Sequence, residues 1–257
     1  MATITHNGVT LSYEDRGVGK PAFVFVHGWT CNRSFFAPQA AYFAPRHRVV
    51  SLDLRGHGDS TKPEGAYPIK AYADDIAHVI DQLGLGKVVA VGHSMGGITV
   101  LQLGADHPDK VAGIVMVDPA PFVFPPELRA GIEGLVSAIE AGNQEPRRQF
   151  IAERLFLPTS DKGLVNDVLG VMMAAPAPIA ANAMKGILAF DGKAVAARCK
   201  VPALHLAATP PLNPPHLMSE WLPDVVNGWT VGAGHFNMME VPDQVNAMID
   251  GFLRHYV

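Results

Sequence analysis

Residues 88–97 read VVAVGHSMGG, and how they fold decides the architecture of the chain. Val88–Val91 form a β-branched, apolar run of the kind that fits a pleated, buried strand. The residues after it, GITVLQLGADHP (97–108), carry apolar positions at helical spacing. Between the two lies Gly92-His93-Ser94-Met95-Gly96, a G-x-S-x-G sequence at a strand-to-helix turn. Such a turn strains the backbone of its apex residue, and side chains at the flanking positions would clash. It lifts the Ser94 hydroxyl above the sheet at a helix N-terminus, where the dipole favours negative charge. The Met95 N–H then points to where an oxyanion would form. A dinucleotide fingerprint needs glycine where Ser94 stands, and a Walker loop needs Lys-Ser/Thr, so neither phosphate-binding reading fits.

Outward from this turn the same design repeats. AFVFVHG (22–28), RVVSLDL (48–54), VAGIVMVD (111–118) and VPALHLA (201–207) are short apolar runs ending in glycine or polar residues. Runs of this kind read as strands buried on both faces of a parallel sheet. Helical patterns alternate with them at 69–86, 96–108 and 242–256. The first puts Tyr72, Ile76, Val79, Ile80 and Leu83 on one face. The alternation predicts an α/β fold, a doubly wound, mostly parallel sheet of the eight-stranded type with helices on both faces. It breaks once, where residues 121–197 lose their strands and read as short helices separated by Pro and Gly. The expected organisation is a core of residues 1–120 and 198–257 with a helical lid, 121–197, inserted after the sixth strand.

Composition narrows the function classes. The 257 residues are 48% hydrophobic and 17% charged, enough to bury a full core. A formal charge of −4 and the lack of any Lys/Arg run give no footprint for nucleic acid or anionic membrane. Cys31 and Cys199 are too few for a disulfide framework. The first residues lack the basic-then-apolar pattern of a signal peptide, and no apolar run reaches the ~18–20 residues of a membrane span. The expectation is a soluble cytoplasmic protein, monomer or homodimer, acting on a small molecule.

Four segments, in chain order, resemble those of the α/β-hydrolase family. FVFVHGWT (23–30) resembles its oxyanion loop and DLRGHGDS (53–60) its structural loop. GHSMGG (92–97) resembles its nucleophile elbow and GAGHFNMMEVPDQV (232–245) its histidine loop. The likeness covers nearly the whole chain and lies toward the serine-esterase branch. It implies a Ser–His–acid triad, an acyl-enzyme and no cofactor. On these positions Ser94 is the nucleophile and His235 the general base, with the backbone N–H groups of Trp29 and Met95 as oxyanion donors. His27 and His93 hold backbone in place in that family, and His57 reads as a loop-organising partner. These histidines lack paired ligand spacing and an accompanying acidic pair, so no metal is expected. Cys31 reads as a small buried residue without an activating base.

The third triad member is not where most of the family carries it. The loop after VPALHLA is ATPPLNPPHL (208–217), and its one amide or acid side chain is Asn213. Either the acid stands one strand earlier, at Asp118, or His235 works as a dyad with Asn213 or water behind it. Glu240 and Asp224 are further candidates. Asp118 ends an apolar run at the carboxyl edge of the sheet, where open α/β folds bind ligands, and a carboxylate buried there needs a partner. It is the preferred acid. The prolines of 208–217 suggest a rigid wall at the pocket entrance.

The inserted segment supplies Phe122, Phe124, Phe150, Phe156, Leu157, Met172, Met173, Met184 and Ile187. Apolar side chains of this kind make an adaptable pocket. Trp29, Phe122, Phe124, Met173, Leu212 and Phe236 are the candidate substrate contacts, and no Arg or Lys clamp is evident. The expected substrate is a small or medium uncharged ester, lactone or thioester with an apolar part. A C–C-bond hydrolase, a cofactor-free ring-opening dioxygenase and a non-catalytic small-molecule receptor are alternatives on the same scaffold. Haloalkane dehalogenation would need Asp in place of Ser94, and perhydrolases usually carry Pro where Thr30 stands.

Overall fold

In a computed structural model, which describes residues 2–257, eight strands form one sheet. They are β1 (Ala2–His6), β2 (Val9–Arg16), β3 (Ala22–Val26), β4 (Val49–Leu52), β5 (Val88–His93), β6 (Val111–Val117), β7 (Ala203–Ala207) and β8 (Val226–Trp229). The spatial order is β1-β2-β4-β3-β5-β6-β7-β8, antiparallel at β1–β2 and β2–β4 and parallel from β4 to β8. Every residue of β3, β4, β5 and β7 is buried, whereas the edge strand β8 alternates between half-buried and exposed. Helices on both faces of the central strands explain why those strands are apolar without alternation.

The strand order fixes where the site falls. The chain leaves β3 toward β4 on one side and leaves β5 toward β6 on the other. Right-handed crossovers therefore place their helices on opposite faces. Helices Ile69–Gln82 and Met95–Asp106 pack together on one face, and Ala37–Phe43 meets Pro242–Tyr256 on the other. The carboxyl ends of β3 and β5, with Trp29 and Ser94 just beyond them, flank the switch point where α/β sheets open a crevice.

Between β6 and β7 come helices Pro126–Glu140, Glu145–Gln149, Lys162–Ala174 and Ala177–Leu188, with a π-helical turn at Phe150–Arg154. The next helix, Gly192–Arg198, packs on Met95–Asp106. The expected boundary at 197 falls within this helix. The π-helical turn directly follows the short helix Glu145–Gln149. The proline-rich stretch also differs from the expected loop, because Pro215–Trp221 is helical with Pro215 at its first position. Among the described residues no single helix is long and apolar enough to cross a membrane.

Candidate active site

Ser94 caps the helix Met95–Asp106 with φ +55° and ψ −116°, a conformation L-residues avoid. The glycines around it are required by contact. A Cβ on Gly92 would stand 2.1 Å from the Gly96 carbonyl oxygen, and one on Gly96 would stand 2.1 Å from that of Val26. The same close approach docks the turn on β3. Four non-glycine residues have positive φ among those described, and three of them, Thr30, Ser94 and Asp118, follow β3, β5 and β6. Backbone strain gathers at the carboxyl edge of the sheet.

His235 reaches this edge from the loop after β8. Its Nδ1 lies 2.6 Å from Asp118 Oδ2, and both side chains are buried. With a carboxylate on that side, Nδ1 carries the proton and Nε2 is left as the basic nitrogen. The other Asp118 oxygen has longer contacts, 3.4 Å, to the N–H groups of Ala208 and Leu212. Asp118 is thus the carboxylate behind His235, one strand before the usual loop.

The other acid and amide candidates are engaged elsewhere. Asn213 donates to the carbonyls of Pro119 (2.8 Å) and Ala120 (3.2 Å) and accepts from Phe122 N–H at 2.9 Å. It latches the chain that follows Asp118 and does not meet the imidazole, which removes the Asn213 dyad. Glu240 accepts from Gly234 N–H and Ser160 rather than from the ring. Asp224 forms no hydrogen bond or ion pair with His235.

The neighbouring histidines are structural. His27 Nδ1 donates to Gly28 O at 2.8 Å, and its Nε2 accepts from Leu54 N–H at 3.1 Å, tying two loops together. His57 Nδ1 donates to Arg55 O at 2.9 Å. Burial lowers His27 to a pKa of about 4 and His57 to about 3, so both are neutral at pH 7. His93 Nε2 donates to the His235 carbonyl at 2.9 Å, and burial, then the nearby His235, holds it well below the usual range. Burial pushes the Cys31 thiol up, keeping it protonated and unreactive. No group of three His, Cys, Asp or Glu side chains among the described residues is arranged to hold a metal.

Ser94, His235 and Trp29 line one cavity of about 630 Å³. Its walls come mainly from the segment between β6 and β7, including Phe124, Ile132, Phe150, Leu155, Met172, Met184 and Ile187, with Leu212 and Phe236 from the rest of the chain. Four expected contacts, Trp29, Phe124, Leu212 and Phe236, are therefore on the wall. Phe122 and Met173 are not. Phe122 stacks on Trp221 and its Cβ fills the space beside Gly192, while Met172 rather than its neighbour Met173 faces the cavity. Two charged residues, Arg154 and Glu127, also line the cavity. Periodicity gives the faces of a helix but not which face meets the cavity.

The Trp29 indole is pinned from above. Its Nε1–H donates to Ala180 O at 2.8 Å, Phe150 meets it edge-on, and the Arg147 guanidinium lies 5.5 Å over the ring. Arg147 is 1% exposed and has no ion-pair partner among the described residues; burial lowers its pKa to about 10. It donates instead to the carbonyls of Met172 and Ala175, at the end of helix Lys162–Ala174, where the dipole is negative.

Comparison with known proteins agrees with this architecture. The family described as alpha/beta hydrolase fold matches residues 21–143. The chain is 37% identical over 136 residues to 2-(acetamidomethylene)succinate hydrolase of Mesorhizobium japonicum, covering 53% of this chain and 47% of that protein. It is 38% identical over 120 residues to the bifunctional esterase/perhydrolase DCH of Acinetobacter calcoaceticus, covering 46% and 44%. The matches thus span about half the length of these curated relatives. A solved thermophilic esterase from Thermogutta terrifontis superposes with a TM-score of 0.87 at 26% identity, covering 98% of this chain and 96% of the other. The enol-lactonase from Burkholderia xenovorans gives 0.86 at 24% identity, covering 99% and 100%, a likeness of fold. With this strand order, an elbow at Ser94 and these similarities, the chain has the α/β-hydrolase fold.

Proposed function

We propose that the chain is a serine hydrolase of carboxylic esters, lactones and thioesters included. The observation that carries the reading is the 2.6 Å contact between Asp118 and His235, on a histidine that shares one cavity with Ser94. His235 Nε2 takes the Ser94 proton as Oγ attacks the substrate carbonyl, and Asp118 stabilises the imidazolium that forms. The N–H groups of Trp29 and Met95 receive the developing oxyanion; Met95 opens its helix, so its N–H has no intrahelical acceptor. Collapse of the tetrahedral intermediate expels the alcohol, which takes the proton from His235, and leaves an acyl group on Ser94. Water, deprotonated by His235, then adds to the acyl carbonyl, and the carboxylic acid leaves as Ser94 regains its proton.

The substrate carries an apolar portion, since most of the cavity wall is apolar. The inserted helices act as its lid. Relatives named for hydrolysis of a substituted succinate and for esterase activity support hydrolytic chemistry. The test is a panel of esters of increasing acyl length on wild type and Ser94→Ala, with and without oxygen. Turnover with a product burst, lost in Ser94→Ala and indifferent to oxygen, is expected. Absence of turnover across the panel would leave a binding protein, and a need for oxygen would point to the dioxygenase.

A further inference from the structure

His235 is held at two ends, and only one hold is the contact with Asp118. Its backbone N–H donates to Leu155 O at 3.0 Å, so the inserted segment grips the loop that carries the ring. The two chains approach closely, since a Cβ on Gly234 would lie 3.0 Å from Leu155 O and 3.2 Å from Leu157 N. Phe156 stacks on Phe236 with ring centres 5.0 Å apart. One carboxylate bridges the junction. Glu240 Oε1 accepts from Gly234 N–H at 2.9 Å, and Oε2 accepts from Ser160 Oγ–H at 2.5 Å. Ser160 Oγ in turn accepts from Leu157 N–H at 3.0 Å.

No cation pairs with Glu240 among the described residues, so neutral donors from both sides of the junction satisfy its charge. Hydrogen bonds to an ionised acceptor are about twice as strong as neutral ones, which suits a latch between two loops. We propose that Glu240 is a positioning residue, which with Ser160 fastens the backbone at Gly234–His235 to residues 155–160 and so fixes where the imidazole meets Ser94. The proposal rests on the hydrolase reading of Ser94 and His235. The same segment presents Phe150, Arg154 and Leu155 to the cavity, so a substrate seated against them touches the chain that holds the base.

The test compares wild type, Glu240→Gln, Glu240→Ala, Ser160→Ala and the double variant Ser160→Ala/Glu240→Ala. Two readouts are taken on folded protein: kcat and KM with 4-nitrophenyl acetate across pH, and the low-field proton resonance of His235 Nδ1–H. Glu240→Ala is expected to lower kcat roughly 10- to 100-fold at near-constant KM, the cost of a small misplacement of a reacting group. The resonance should shift or broaden with it. Glu240→Gln, which keeps an acceptor for Gly234 N–H, should recover most of the loss. The double variant should be no worse than Glu240→Ala, because both changes cut one latch. Unchanged kcat and resonance in folded Glu240→Ala would overturn the proposal, as would additive losses in the double variant. Absence of turnover in wild type would instead defeat the hydrolase reading, while the resonance would still report whether Glu240 positions the ring.

Discussion

Where the central strands end, the backbone is strained and the side chains are polar; where the inserted helices cover those ends, the strain disappears and the wall is largely apolar. Thr30, Ser94 and Asp118 hold positive φ values on the sheet side, and no non-glycine residue of 121–197 does. The rigid sheet over-determines its loops and can hold unfavourable conformations beside the cavity that Ser94 and His235 line. The helices supply shape instead. Changes on the sheet side should therefore fall on kcat, and changes on the helix side on stability and KM.

Asp118→Asn gives the largest contrast. An amide there favours the wrong imidazole tautomer, and kcat should fall roughly 10⁴-fold with the fold intact. Steady-state kinetics beside circular dichroism checks this; a loss under tenfold would remove Asp118 from the reaction. On the helix side, Arg147→Ala should remove the guanidinium bonds to the carbonyls of Met172 and Ala175 and uncover Trp29. Its expected cost is about 2–4 kcal/mol in denaturant unfolding. A cost near zero would mean that the insertion closes over Trp29 without it.

Acid sharpens the same contrast through the loops beneath the site. His27 and His57 are held near pKa 4 and 3 by burial, against about 6.5 in an unfolded chain. Below pH 6.5 the unfolded chain binds more of these protons. Their contribution to stability is thus complete above about pH 6.5 and is lost as pH falls through 4 toward 3. Denaturant midpoints at pH 7, 5 and 4 should decline, and His27→Gln should flatten the decline. A midpoint constant down to pH 4 would contradict it. The smallest effect belongs to the wall: Phe124→Ala should raise KM severalfold for long acyl esters with kcat little changed, as expected for loss of uniform binding.

The two regions also differ in how far sequence reveals them. Buried parallel strands are nearly continuous apolar runs, so β3 to β7 and the elbow at Ser94 stand out without any knowledge of partners. Asp118 was legible for a related reason, as a carboxylate ending such a run with no acid in 208–217. The insertion hides more. Nothing near Arg147 in the sequence signals its burial, because its acceptors, Met172 O and Ala175 O, lie 25 or more residues later. The π-helical turn at Phe150–Arg154 rotates Arg154 and Leu155 onto the cavity wall in a way that 3.6-residue periodicity does not anticipate. Phe122 lies off the wall because it stacks on Trp221, 99 positions later in the chain. Glu240 stood among the candidate acids, but its role at the junction depends on Ser160, 80 positions earlier.

The most direct measurement is covalent. A fluorophosphonate probe added to wild type, His235→Ala and Ser94→Ala, followed by peptide mass spectrometry, reads nucleophile and base together. One adduct on the peptide containing Ser94, formed quickly in wild type, orders of magnitude more slowly in His235→Ala and absent in Ser94→Ala, is the predicted result. No adduct in wild type, or labelling at Ser94 that proceeds equally without His235, would contradict it.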